Sequence, residues 1–246
     1  MREFHHAWPD MLGEWAMECR TGTGLRFHCW RNARLDKESS CYRAEEMKPS
    51  IRRLHRVHLP IDTAKLARFL IGKTLVHDLR EGRLSGRIVE TEAYVVGDAA
   101  GHAYRGPTPR NKSLFLDRGH AYVYLAYGLH FMLNVSSEIS GVGAGVLLRA
   151  LEPLDGIHLM RLRRAQTPLI DLARGPGRLA QAMGIGLRHN GLDLCAVGPL
   201  WLGDSVRPVG DIGRSVRIGI SRETQRLLRF YERGNPYISG SRRWTV

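Results

Sequence analysis

The sequence predicts an α+β fold, one compact domain over residues 51–246, from three observations. Residues 59–76 carry an apolar stripe at helical spacing. The strand-like runs after it follow one another directly, with helical segments between groups of them rather than in strict alternation. The chain has 246 residues and is 43% hydrophobic, enough for a packed core. Residues 1–50 stand apart. They scatter Trp, Cys and His among charges and sustain neither a two-residue nor a 3.6-residue period, which predicts a poorly ordered extension.

In order along the domain, Asp62 is placed to cap a helix in LPIDTAKLARFLIGKTLV, with Leu66, Phe69 and Leu70 facing the core and Gly72 ending it. TLVHDL and RLSGRIVETEAYV read as strands around a turn at Glu81-Gly82. Residues 97–119 are rich in Gly, Pro and Arg and predict a long loop, a length that in compact domains usually serves function. A hairpin follows over Tyr122–Val135, with Gly128 near its tip, and then a strand in GVLLRALEPL. Asp155 is placed to cap a helix through IHLMRLRR, and a further helix, RLAQAMGI, starts behind Gly175-Pro176-Gly177. The stretch VRIGISRETQRLLRFYERGNPYISG predicts more strand and loop.

The net charge is +13 with a pI near 10.2. Residues 1–50 hold eight basic and eight acidic residues, so the 29 basic and 16 acidic residues beyond them carry the whole imbalance. Most of these cations are arginines, which suit bidentate contacts to phosphate, and a basic globular domain points to nucleic acid. Arg105 and Arg110 in the long loop and Arg178 behind the Gly-Pro-Gly turn are the candidate contacts to a DNA backbone. No apolar run approaches a membrane span and no leader pattern opens the chain, so a bacterial cytosolic location is expected, with no membrane partner. Cys19, Cys29, Cys41 and Cys195 show no zinc-like spacing, alone or with His5, His6 and His28; reduced thiols and no metal are expected.

Chemistry-bearing residues centre on GRIVETEAY, residues 86–94. On a strand, Glu90, Glu92 and Tyr94 project to one face and Val89, Thr91 and Ala93 to the other. Such a face is a solvated edge, a general base with its neighbour, or a set of metal ligands. Arg149 lies inside the apolar strand VLLRALEP, where an unpaired cation would be costly; it needs an anion such as Glu92, in a structural ion pair or in a site that keeps a base ionised. His102, Tyr122, Tyr124 and Asn134 could form a slot for a planar heterocycle or plain core. Tyr127 is unusual beside Gly128, where small polar residues are expected; it either folds back on the strand or projects. No Walker-type loop, H-E-x-x-H, G-x-S-x-G or H-x-E with P-C-x-x-C is present.

GRIVETEAY, the histidine of AAGHAYRG, TPRN, YVYLAYG, the asparagine of MLNVSS, VLLRALEPL, GPGRLAQAM and RFYERGNPY come in the order of the alkyladenine (3-methyladenine) DNA glycosylase family, which the chain resembles over roughly residues 57–240. The resemblance implies a compact mixed fold with a curved, mainly antiparallel sheet surrounded by helices and a protruding hairpin. It implies a monofunctional base-excision repair enzyme, working without a cofactor and as a monomer. Such an enzyme flips alkylated or deaminated purines from double-stranded DNA and hydrolyses their N-glycosidic bonds.

By the same resemblance, Glu92 matches the base that activates water and Arg149 the arginine beside that water. Tyr94, His102 and Tyr124 match the groups that sandwich the base, Asn134 the residue that crowds the amino group of guanine, and Tyr127 the wedge that fills the gap in the stack. His130 and Leu133 fall where the family varies. Two readings of other classes stand beside this one: a metal-dependent nuclease using Glu90, Glu92 and Asp98, and a non-catalytic DNA- or RNA-binding module.

Overall fold

The structure, a computed structural model, describes residues 51–240 and the backbone of two short strands, Met17–Arg20 (β1) and Arg26–Cys29 (β2). The chain divides into two compact units, Met1–Pro49 and Ser50–Val246. In the first, β1 and β2 pair antiparallel, a pairing the sequence pattern does not signal. The expectation of a poorly ordered extension, and the cysteines and histidines weighed there as metal ligands, otherwise fall outside the described residues.

The second unit is an α+β domain built on one long strand. Asp62 caps helix α1 (Thr63–Leu70) as expected, its side chain accepting from the Lys65 amide at 2.8 Å. Leu66, Ala67 and Leu70 are wholly buried against the sheet, a burial that contributes about 1.5–3 kcal/mol for each leucine. Gly72 turns the chain at φ +85°, where a Cβ would also strike Val209, and strand β3 (Thr74–Leu79) follows. Strand β4 (Gly82–Tyr94) is the spine. Its first half pairs β3 and its far end pairs β10 (Arg229–Glu232), while β7 (Gly145–Asp155) runs along its other edge.

The remaining strands are β5 (Ala121–Ala126), β6 (His130–Ser136), β8 (Leu200–Gly203) and β9 (Ile212–Ser215). Every pairing in the eight-stranded sheet is antiparallel, in the order β5-β6-β7-β4-β10-β9 with β3 and β8 branching from β4, and the sheet curls into a half-barrel. The short strands β8 and β9 carry too few residues to show a period, and only their partners reveal them.

Helices α2 (Ile157–Arg163) and α3 (Pro176–Ala182) follow β7. The expected cap at Asp155 is not there. Gly156, at φ +70°, is the N-cap of α2, whereas Asp155 ends β7 and its carboxylate accepts from the Ser85 hydroxyl at 2.6 Å. A partner on β4, seventy residues away in sequence, outcompeted the local cap. Helix α3 begins at Pro176, whose fixed φ suits a first helical position. Among the described residues no helix is long and apolar enough to cross a membrane.

Candidate active site

The pairing of β4 with β7 breaks register where the site is built. Ile88 faces Leu151, Glu90 faces Ala150 and Thr91 faces Leu148, so Val89 on one strand and Arg149 on the other are the unpaired residues of successive bulges. A bulge re-aims a side chain that regular pleating would send elsewhere. Arg149, nearly buried, thereby reaches both carboxylates of β4: its Nε donates to Glu90 Oε1 at 2.8 Å, and Nη1 lies 3.1 Å from Glu92 Oε1.

The two carboxylates then part company. Glu90 is also held by Arg229 Nε (2.7 Å), the Ser239 amide (2.6 Å) and the Ser239 hydroxyl (2.9 Å), so it anchors the sheet. Glu92 Oε1 accepts from the Ile218 amide at 2.7 Å, while among the described residues Oε2 accepts only the Tyr94 hydroxyl, at 3.0 Å. Burial pushes the Glu92 carboxyl above its ordinary 4.5; Arg149, the Ile218 amide and the Tyr94 hydroxyl pull the other way without prevailing.

Above this pair opens a cleft of about 460 Å³, walled by Tyr94, His102, Tyr124, Tyr127, Arg149 and Ile218 among others. The His102 and Tyr124 rings meet edge-on at 4.4 Å, and Tyr122 stacks under Tyr124 at 5.3 Å. Tyr122 bonds His102 Nδ1 at 2.9 Å. Burial and the nearby Arg110 lower the His102 pKa, so the ring is neutral at physiological pH. Burial also pushes the Tyr124 hydroxyl up to about 12. Asn134, buried on β6, faces a smaller chamber of about 70 Å³ behind the same Tyr94, His102 and Tyr124 walls.

The hairpin tip is bare. Tyr127 is 87% exposed, so it does not fold back on its neighbour strand. It sits at φ +51° and Gly128 at φ +68°, the two positive angles of the turn that matches the twist of a tight hairpin. A left-handed tyrosine costs roughly 1–2 kcal/mol.

Residues 58–236 match the family described as Methylpurine-DNA glycosylase (MPG). The chain belongs to this family. Among its relatives are proteins named "Putative 3-methyladenine DNA glycosylase" from three organisms. That of Mesorhizobium japonicum is 66% identical over 187 residues, 76% of this chain and 90% of the relative. That of Paraburkholderia phytofirmans is 56% identical over 78% of this chain and 91% of the relative, and that of Chlorobaculum tepidum 46% identical over 77% and 91%. The protein is thus a DNA glycosylase of base-excision repair, and DNA is its partner.

In this glycosylase the predicted residues do not all converge. Arg149, Tyr94, His102, Tyr124 and Tyr127 line one cleft, with Arg110 over the Tyr124 face at 5.7 Å, and Glu92 lies buried beneath it, bonded to the Arg149 and Tyr94 walls. Arg105 lines the neighbouring groove that shares His102 and Arg110. Arg178 stands half-exposed on α3, 3.3 Å from Asp171, outside the cleft lining. Nor do Glu90, Glu92 and Asp98 gather as metal ligands. Asp98 is clamped by Arg217, Glu90 by two arginines, and among the described residues no three His, Cys, Asp or Glu come together.

Sequence reasoning missed three supports of the site. They are the Ile218 amide on Glu92, the buried Arg217 stacked on Tyr94, and Asn111, whose Nδ2 donates to the His102 carbonyl at 2.8 Å and to that of Gly106 at 3.1 Å. Only Arg217 carried a signal, a cation in the apolar run VRIGI like Arg149 in its own.

Proposed function

We propose that this glycosylase excises alkylated and deaminated purines (3-methyladenine, 7-methylguanine, hypoxanthine and ethenoadenine) from double-stranded DNA by hydrolysis alone, as a monomer in the bacterial cytosol. The observation that carries the reading is the buried Glu92–Arg149 pair beneath an aromatic cleft. Glu92 Oε1 is occupied by Arg149 and the Ile218 amide, which leaves Oε2, beside the Tyr94 hydroxyl, as the oxygen to take a proton from water. Arg149 favours the ionised carboxylate against the opposing effect of burial and is placed to orient that water. Tyr94, His102 and Tyr124 line the cleft and offer faces to sandwich a planar base, and Asn134 in the chamber behind occupies the space an exocyclic amine would need.

Tyr127 is the wedge in the emptied stack, with Arg105, Arg110 and Arg178 as contacts to the DNA backbone. Alkylation at N3 or N7 makes the base a cationic leaving group, so one carboxylate suffices; hypoxanthine is neutral and leaves once protonated. A lyase step needs an amine nucleophile, and no lysine lines the described cleft. The test is single-turnover base release from a duplex holding one lesion, with and without chelator. The expected products are the free base and an unbroken strand that alkali then cuts. Strand breakage without alkali, or loss of activity with chelator, would overturn the reading.

A further inference from the structure

We infer that Arg217 is a positioning residue for Glu92: clamped to Asp98, it sets the Ile218 amide against the carboxylate and braces the Tyr94 ring. This rests on the reading of Glu92 as the base that activates water. The segment Val216–Leu228, between β9 and β10, has no regular structure, yet its Ile218 amide meets Glu92 Oε1 at 2.7 Å. Something must fasten it. The Arg217 side chain, next in sequence, is wholly buried, as is that of Asp98. Arg217 Nη1 donates to Asp98 Oδ2 and, at 3.0 Å, to the Ala93 carbonyl at the end of β4; Nη2 donates to Asp98 Oδ1 at 3.1 Å. The same guanidinium lies 4.7 Å from the centre of the Tyr94 ring, the residue whose hydroxyl bonds Glu92 Oε2.

Asp98 is itself set in place by a turn, its amide bonded to the Val95 carbonyl at 3.1 Å and its Oδ1 accepting the Ala100 amide at 3.0 Å. It also opens the loop that carries His102. One ion pair therefore joins the end of β4, the histidine loop and the Ile218 loop, each of which supplies a wall or a donor to the site. A bidentate fork on a carboxylate fixes orientation as well as distance, which a lysine ammonium would not.

The groups facing Glu92 are Arg149 from β7, Glu90 and Tyr94 from β4, Tyr124 from β5, and the Ile218 amide from the loop. Arg217 governs two of these, Ile218 and Tyr94, and leaves Arg149 and Glu90 in place. Both governed groups donate hydrogen bonds to the charged carboxylate. Loosening them favours its protonated form and moves the acid limb of activity to higher pH.

The experiment compares wild type, Arg217→Lys, Asp98→Asn and Glu92→Gln in single-turnover base release from pH 5 to 9, each well below its own melting temperature and corrected for the folded fraction. Binding of the lesion duplex is measured in parallel. The expected result is an acid limb displaced upward by about half a unit or more in Arg217→Lys and Asp98→Asn, with the neutral rate down about tenfold, recovering as pH rises, and binding within about threefold. Asp98→Asn keeps the shape of the side chain and provides a folded variant if Arg217→Lys is too unstable to assay. An unmoved acid limb, with any rate loss explained by folded fraction, would make the pair purely structural and overturn the inference. Full activity in Glu92→Gln would instead remove the base on which it rests.

Discussion

Besides the Glu90 cluster, strand β4 carries two buried acid–arginine contacts, and the two behave oppositely. In its middle, Arg87 forks onto Glu232 of β10, with Nη1 on Oε2 and Nη2 on Oε1 at 2.8 Å; the Gly210 backbone amide (3.0 Å) and Asn235 Nδ2 (2.8 Å) complete the carboxylate. Burial works to raise the Glu232 pKa, but these donors overcome it and hold it at about 2. Near its end, Glu92 has one backbone amide, one tyrosine hydroxyl and an arginine it shares with Glu90, and there burial prevails. Fully saturated, a buried carboxylate is a clamp. Left with spare acceptor capacity and an elevated pKa, it is equipped to take a proton.

The largest test of that contrast is to neutralise each acid in turn. Glu92→Gln is expected to lower base release at least about a hundredfold, within the range that general bases contribute, while binding of the lesion duplex and the melting temperature stay near wild type. Glu232→Gln is expected to do the reverse. It takes the forked carboxylate from the buried Arg87 cation and leaves it the more distant Glu152, 3.8 Å away, a loss of up to about 3–5 kcal/mol that calorimetry would read as a melting temperature lower by about 5 °C or more. Excision per folded molecule should survive. If the two phenotypes coincide, the contrast between clamp and base is wrong.

Acidification separates the pair on a finer scale. The folded pKa of Glu232 lies below its unfolded value near 4.5, so its stabilisation is complete above that pH and is lost as pH falls towards 2. The folded pKa of Glu92 lies above 4.5, so excision is expected to fail on its own acid limb before Glu232 protonates. Denaturation and activity curves recorded against pH check this, and coincident curves would argue against it.

Tyr127 extends the comparison to a residue that is largely exposed. Tyr127→Ala is expected to lower the flipped population about ten- to a hundredfold, from the roughly 1–3 kcal/mol of stacking an inserted ring supplies, with no fall in melting temperature. A fluorescent base analogue that brightens on unstacking reports it. The smallest effect expected is from deleting residues 1–50, which lie outside the matched 58–236: activity and melting temperature should hardly change. A large loss of either would place that unit in the working enzyme.

Much of the scaffold was legible locally. The Asp62 cap, the apolar stripe of α1, the hairpin around Gly128 and the strand character of residues 83–94 all follow from residue type and spacing, because each depends on contacts a few residues apart. The cap assigned to Asp155 failed because Ser85 competed for the same carboxylate from another strand. Strands β8 and β9 were hidden by their shortness.

By itself the sequence determined the α+β order of elements, the basic charge of residues 51–246, and the candidates Glu90, Glu92, Tyr94 and Arg149 on two strands. It did not determine which carboxylate is the clamp and which is spare. That depends on Arg229, Ser239 and Ile218, more than a hundred residues away, and on a bulge that aims Arg149 between the two acids. The physical reason is that a carboxylate's proton affinity is set by burial and by every donor within a few ångströms, wherever in the chain those donors originate. Only the folded sheet brings them there.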